Sequence, residues 1–170
     1  MLALNHAHAK VNGFTPRAER HGDEIVPAGS MKFTATVSNL ILDELSKGLR
    51  KDLYRKASSG EQQDLIEGQD ALNAVKHPRI SFSLDDEFPG YELVIHSGLG
   101  LSDPIAVSDV TVKKLELECL EGGSVELTFS CAFHPTSEDA GLLCSLIQNE
   151  VEISLAPPTK KAEAQQDLSV

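Results

Sequence analysis

From Val110 to Phe133 apolar and polar side chains alternate almost without a break. Leu115, Leu117 and Cys119 are interleaved with Glu116 and Glu118. After Gly122-Gly123 the pattern resumes, with Val125, Leu127, Phe129 and Cys131 set against Glu126, Thr128 and Ser130. A period of two marks strands with one buried face, so this stretch predicts an antiparallel hairpin turned by glycines. For both arms to share an inner face, directly opposed residues must have equal parity. A two-residue Gly122-Gly123 loop breaks that condition. A three-residue loop, Gly122-Gly123-Ser124, keeps it and pairs Glu121 with Val125 and Cys119 with Leu127. Val110 and Val112 lie on the opposite parity from Leu115, so a β-bulge is expected at Lys113-Lys114.

The remaining pattern supplies shorter elements. Val11 and Ile25-Val26 mark extended segments around a turn near His21-Gly22-Asp23, and Met31 to Val37 alternates as a strand. Ser38 or Asn39 then caps a helix on Leu42, Leu45, Leu49 and Leu53, weakened by Gly48 by about 1 kcal/mol relative to alanine. A second helix is predicted over Glu61–Val75 on Leu65, Ile66, Leu72 and Val75, stopped by Pro78. Strands follow at Ile80 to Leu84, Tyr91 to His96 and Pro104 to Val112. A helix capped near Thr136-Ser137 and a last strand at Val151 to Leu155 complete the set. Strands succeed one another late in the chain while helices intervene early. The pattern therefore predicts an α+β fold, an antiparallel twisted β-sheet or sandwich of about eight strands with two to three helices. Residues 1–9 are expected to be a flexible N-terminus, 10–155 one domain, and 156–170 a mobile polar tail.

Composition narrows the function classes. At 170 residues one domain can bury a substantial core. No run of 18 apolar residues suggests a membrane span, and the first ten residues lack the form of a signal peptide, which points to the cytoplasm. The three cysteines, Cys119, Cys131 and Cys144, all sit in apolar patterns and are expected to be buried and reduced, without a disulfide. Charge is uneven. Residues 1–79 carry 11 Lys+Arg against 10 Asp+Glu, whereas residues 80–155 carry 2 against 14. A chain of net charge −11 is repelled on average by free nucleic acid, although a local patch can oppose the mean.

Most candidate chemistry dissolves on inspection. Gly98-Leu99-Gly100 leads into a strand, whereas a phosphate-binding loop needs a following helix. His6 and His8, with Asp23 and Glu24, carry no paired ligand motif of the kind structural zinc sites show, so no metal and no cofactor are expected. Cys144, His134 and Asp139 can be drawn as nucleophile, base and orienter, but Cys144 lies among Leu142, Leu143, Leu146 and Ile147 and is better explained as a core thiol. No catalytic residue is assigned. Two charged faces remain. Lys47, Arg50, Lys51, Arg55 and Lys56, with Tyr54 among them, form a basic stripe that would grip phosphates and stack a base. Glu116, Glu118 and Glu126, with Glu121 at the turn, would project carboxylates from a rigid sheet, imitate a row of phosphates and fill a partner's basic groove.

Several segments resemble a family of uncharacterised proteins carried by tailed phages and prophages. They are Glu19-Arg20-His21-Gly22 with Val26-Pro27-Ala28, Leu49-Arg50 with Leu53-Tyr54-Arg55-Lys56, Gly98-Leu99-Gly100, Ser108-Asp109, Glu121-Gly122-Gly123, and Leu146-Ile147-Gln148 with Glu150-Val151. The resemblance implies a phage protein made in the cytoplasm of a bacterial host. It transfers no catalytic residue. Together these observations lead to the expectation of a non-enzymatic protein that binds a host or phage protein of the nucleic-acid machinery, with inhibition of a bacterial defence system as the sharpest form. A single-stranded DNA-binding or recombination accessory protein is the alternative, and a homodimer is compatible with either.

Overall fold

The computed structural model describes residues 1–58, 71–98 and 100–159. The strands are β1 (Leu4–His21), β2 (Glu24–Ser38), β3 (Tyr54–Arg55), β4 (Ala74–Val75), β5 (Ser81–Leu84), β6 (Phe88–Gly98), β7 (Ile105–Leu120), β8 (Ser124–Phe133) and β9 (Glu150–Ala156). The helices are α1 (Ile41–Leu45), α2 (Leu49–Leu53) and α3 (Ser137–Ser145). Six strands pair antiparallel in the order β7-β6-β9-β1-β2-β8, and β8 pairs back onto β7. The sheet closes into a barrel. This corrects the expected α+β fold with a twisted sheet or sandwich: the protein is mostly β, with three short helices among the described residues. Alternation says which side of a strand is buried, and that is the same in both architectures. Closure depends on pairings distant in sequence, such as Leu4 with Leu155 and Leu93 with Leu155.

The inward positions fill the barrel with side chains. Val11, Met31, Phe33, Leu93, Ile95, Val112, Leu117, Leu127, Phe129 and Ile153 are buried there, and the rings of Phe33 and Phe129 stack with centroids 5.5 Å apart. The expected bulge is present. The register of β7 against β8 shifts between Lys113 and Glu116, with Lys114 at φ 53°. The extra residue lets Val110 and Val112 point inward together with Leu115, Leu117 and Cys119. The parity of the hairpin is also as expected, but its register lies two residues away. Cys119 faces Val125 and Leu117 faces Leu127. The loop is Glu121-Gly122-Gly123, with the glycines at φ 87° and 84°. With Glu121 in the loop in place of Ser124, Ser124 pairs with Leu120, and the glycines take the left-handed steps without strain.

The helical regions differ more. In place of one helix through Leu53 there are two five-residue helices. Gly48 between them takes φ 87°, and the Asp43 carboxylate accepts the backbone N–H groups of Gly48 at 3.2 Å and Arg50 at 3.4 Å. Residues 61–70 of the second predicted helix lie outside the described residues, and its end, Ala74–Val75, is strand paired with β3. The helix α3 forms as patterned, with the Thr136 hydroxyl accepting the Asp139 N–H at 3.0 Å. Where a flexible N-terminus was expected, Leu4 already opens β1, and Leu2 and Leu4 are buried. The tail beyond residue 159 lies outside the described residues.

One part of the fold stands clear of the barrel. β1 pairs with β9 only from Leu4 to Lys10, and β2 pairs with β8 only from Gly29 onward. Between Arg17–Ala28 and His21–Glu24 the two strands, among the described residues, pair only with each other, around the Gly22-Asp23 turn. Pro16 lies just before this ribbon and Pro27 within it, as suits edges that give no backbone donor there.

Candidate functional site

The acidic residues gather on the outer wall of the barrel. Opposed pairs across β2, β8, β7 and β5 form rows: Thr36, Glu126, Glu118 and Ser81 in one, Thr34, Thr128, Glu116 and Ser83 in the next. Thr34 and Thr128 hydrogen-bond side chain to side chain at 3.0 Å, and the Asn12 amide donates to Thr34 at 2.6 Å. These bonds tie down the hydroxyl half of the wall. Glu118 and Glu126 face each other directly, which is destabilising for like charges, and neither has a salt bridge among the described residues. Glu121 does not join them. Its carboxylate accepts the Val75 N–H at 3.2 Å and holds β4 against the hairpin turn. A third row, Lys32, Ser130 and Lys113, crosses the same wall, so the surface runs from basic to acidic along the strands.

The basic stripe is taken apart by the fold. Tyr54 is 1% exposed, and its hydroxyl donates toward the carbonyls of Ser124 at 2.6 Å and Leu120 at 3.0 Å. Burial pushes the Tyr54 phenol up from its ordinary pKa. It is a plug at the hairpin end and has no face on which to stack a base. The Arg50 guanidinium lies 3.2 Å from the Asp43 carboxylate and is half-buried. Lys51 is exposed, and its carbonyl accepts the Lys76 ammonium. Arg55 belongs to β3, and Lys47 lies in the turn between α1 and α2. With the helix broken at Gly48, Lys47, Lys51, Arg55 and Lys56 no longer share one helical stripe.

Two histidine groups come together that periodicity did not place. The β1–β9 register shifts between Leu4 and Ala7, with His6 at φ 48°, and the β6–β9 register shifts between Ile95 and Ser97. These two irregularities turn His6 and His96 toward each other across β9, their rings stacked at 4.1 Å. His6 Nδ1 is bonded to Glu152, and His96 Nε2 to the Ser154 hydroxyl at 2.8 Å. The hydrogen bond from His6 holds the Glu152 carboxyl below the usual range. Because Glu152 serves His6 and not His96, the order serine, histidine, carboxylate needed for an activated nucleophile is not assembled. The second group is Glu19 and His21, from the outer half of the ribbon, with His134. Asp23 and Glu24, drawn with His6 and His8 on sequence grounds, sit at the opposite end of the long hairpin. His134 bonds to Glu19 at 3.0 Å, and the Asp139 carboxylate accepts the hydroxyl of Thr136, the N-cap of α3, at 2.7 Å. Cys144 is exposed, which corrects its expectation as a core thiol. Cys119 and Cys131 are buried free thiols.

A cleft of about 310 Å³ opens at one end of the barrel between Leu2, Leu45, Leu84, Phe88 and Tyr91, with Glu44 and Asp86 at its rim. The α-amine of Met1 donates to the Glu44 carbonyl at 3.0 Å beside it. No helix among the described residues is long and apolar enough to cross a membrane. No protein-family model, curated protein or solved structure matches the chain.

Proposed function

We propose that this protein works by binding, presenting Glu116, Glu118 and Glu126 to the basic groove of a protein that handles nucleic acid. The observation that carries the proposal is the opposed Glu118–Glu126 pair. It sits on a closed, side-chain-filled barrel, costs the hairpin stability, and has no internal counter-charge among the described residues. Carboxylates held at strand spacing on a stiff wall lose little entropy on docking, and they steer a basic partner with strong salt dependence. Threonines and serines beside them supply neutral hydrogen bonding. In the phage setting implied by the segment resemblance, such a phosphate mimic would occupy a host or phage nuclease, recombinase or defence protein in the bacterial cytoplasm. Burial of Tyr54 and the ion pair of Arg50 favour this over direct binding of single-stranded DNA.

The test compares wild type with a Glu116→Gln, Glu118→Gln, Glu126→Gln variant in capture from host lysate at two salt concentrations, alongside binding to labelled single-stranded DNA. Wild type should retain a discrete basic partner that raised salt releases, the variant should not, and DNA should not bind saturably. Tight DNA binding abolished by neutralising Lys47, Arg50, Lys51 and Arg55 would make the DNA-binding alternative correct.

A further inference from the structure

We infer that Glu19, His21 and His134 form a binding site for one divalent transition-metal ion of the zinc class, and that the ion fastens the β1–β2 ribbon to the barrel. Glu19 and His21 are two apart on β1 and so project from one face of the strand. His134 is the first residue after β8. The candidate ligand atoms of the three all lie within 4.8 Å of one another. His134 Nε2 is 3.0 Å and His21 Nε2 is 3.6 Å from the same Glu19 oxygen, Oε2. With metal–ligand bonds of about 2.0–2.1 Å, a tetrahedral site separates its ligand atoms by about 3.4 Å. The two measured edges bracket that value. The imidazoles meet edge to face, at 83° with centroids 5.6 Å apart, an arrangement in which two rings can aim nitrogens at one point.

The electrostatics point the same way. A carboxylate oxygen and two imidazole nitrogens crowd together, and lone pairs in such a space need a cation, either protons on the rings or a metal. Both histidines converge on Oε2 of the Glu19 carboxylate. Arg17 approaches the other oxygen, Oε1, at 3.9 Å and leaves Oε2 facing the histidines. Two imidazoles and one carboxylate suit zinc and its first-row neighbours, whereas calcium and magnesium favour all-oxygen sites. His6 and His96 do not make an equivalent site, because their rings are stacked at 17° and His96 Nε2 is taken by Ser154.

The consequence lies in the ribbon. An isolated two-stranded hairpin is marginally stable in water, and among the described residues this one pairs with no other strand from Arg17 to Ala28. A metal bridging Glu19 and His21, in the outer half of the ribbon, to His134 just past β8 ties it down. This inference concerns a different surface from the acidic wall and stands independently of the docking proposal.

The test uses the full chain without a polyhistidine tag. Zn²⁺ is titrated calorimetrically, Co²⁺ by its visible ligand-field absorption, and amide hydrogen exchange is followed over residues 17–27. One equivalent of Zn²⁺ should bind. His21→Ala, His134→Ala and Glu19→Gln should each weaken binding at least about tenfold, and His6→Ala should leave it unchanged. Zn²⁺ should raise ribbon protection in wild type but not in His134→Ala. All these substitutions are at solvent-accessible side chains, and unchanged circular dichroism will show that the barrel persists. Absence of Zn²⁺ and Co²⁺ binding, binding indifferent to His21 and His134, loss of binding in His6→Ala, or binding that leaves ribbon exchange unaltered would each overturn the inference.

Discussion

Tyr54 shows how one residue can carry a misleading sequence signal. Its neighbours Arg50, Lys51, Arg55 and Lys56 place it in a basic stripe if the helix runs on, but α2 ends at Leu53 and Tyr54 turns into strand. The hydroxyl then satisfies two carbonyls at the base of the hairpin turn. Tyr54→Phe keeps the ring packing and removes the donor, so buried carbonyls lose their partner. The expected loss is about 1–3 kcal/mol, measured as a shift in urea midpoint at unchanged slope. Nothing local forecasts this role, because the carbonyls it meets are 66 and 70 residues away in the chain. The exposed Cys144 has a similar cause. Its apolar neighbours were read as a core, but α3 buries only Leu143 among its own residues, and the thiol falls on the other side of the helix.

At the scale of elements, the hairpin β7–β8 was the most legible part of the chain. Its buried parity, its bulge at Lys113-Lys114 and its three-residue loop length follow from the order of apolar residues and glycines. The loop's placement does not, because Glu121-Gly122-Gly123 and Gly122-Gly123-Ser124 satisfy the same parity. The actual register brings Glu118 opposite Glu126, a pairing that the expected register would not have made. Removing the repulsion should therefore help the fold while harming the proposed contact. Glu118→Gln with Glu126→Gln should raise stability by about 0.5 kcal/mol and reduce capture of a basic partner. Chemical denaturation and the capture experiment measure the two effects on the same sample. The sheet-spanning histidine pair His6–His96 was invisible in the pattern, since irregularities on two strands, far apart in sequence, bring the rings together.

For the molecule as a whole, the pattern marks the long strands but neither the short β3–β4 pair nor the closure of the sheet. Each of β1, β6 and β9 has an inner and an outer face whether the sheet curls or stays open, and only the pairing of distant segments decides. The closed interior nevertheless has a measurable signature. Cys131 is fully buried, and burial pushes its thiol pKa up from the ordinary 9.0; Cys119 is raised for the same main reason, partly offset by the bond from Tyr54. A group whose folded pKa is raised lends stability that is complete below the unfolded value and fades as pH rises toward the folded one. The urea midpoint should thus hold steady from about pH 7 to 8 and fall above about pH 9 as the unfolded thiols ionise. Over the same range below pH 8, Cys144 should react with a thiol reagent at once, and Cys119 and Cys131 only as the barrel opens.

The length of β1 joins matters that would otherwise be separate. Its first residues complete the seam with β9, where His6 meets Glu152, and its last residues carry Glu19 and His21 on the ribbon. Eighteen residues at about 3.3 Å each span at most about 60 Å, with irregularities between Leu4 and Ala7 and between Val11 and Gly13. Whatever grips the free end therefore pulls along an unbroken backbone on a seam of five paired residues, and the molecule possesses a lever whose fulcrum is the barrel's own wall.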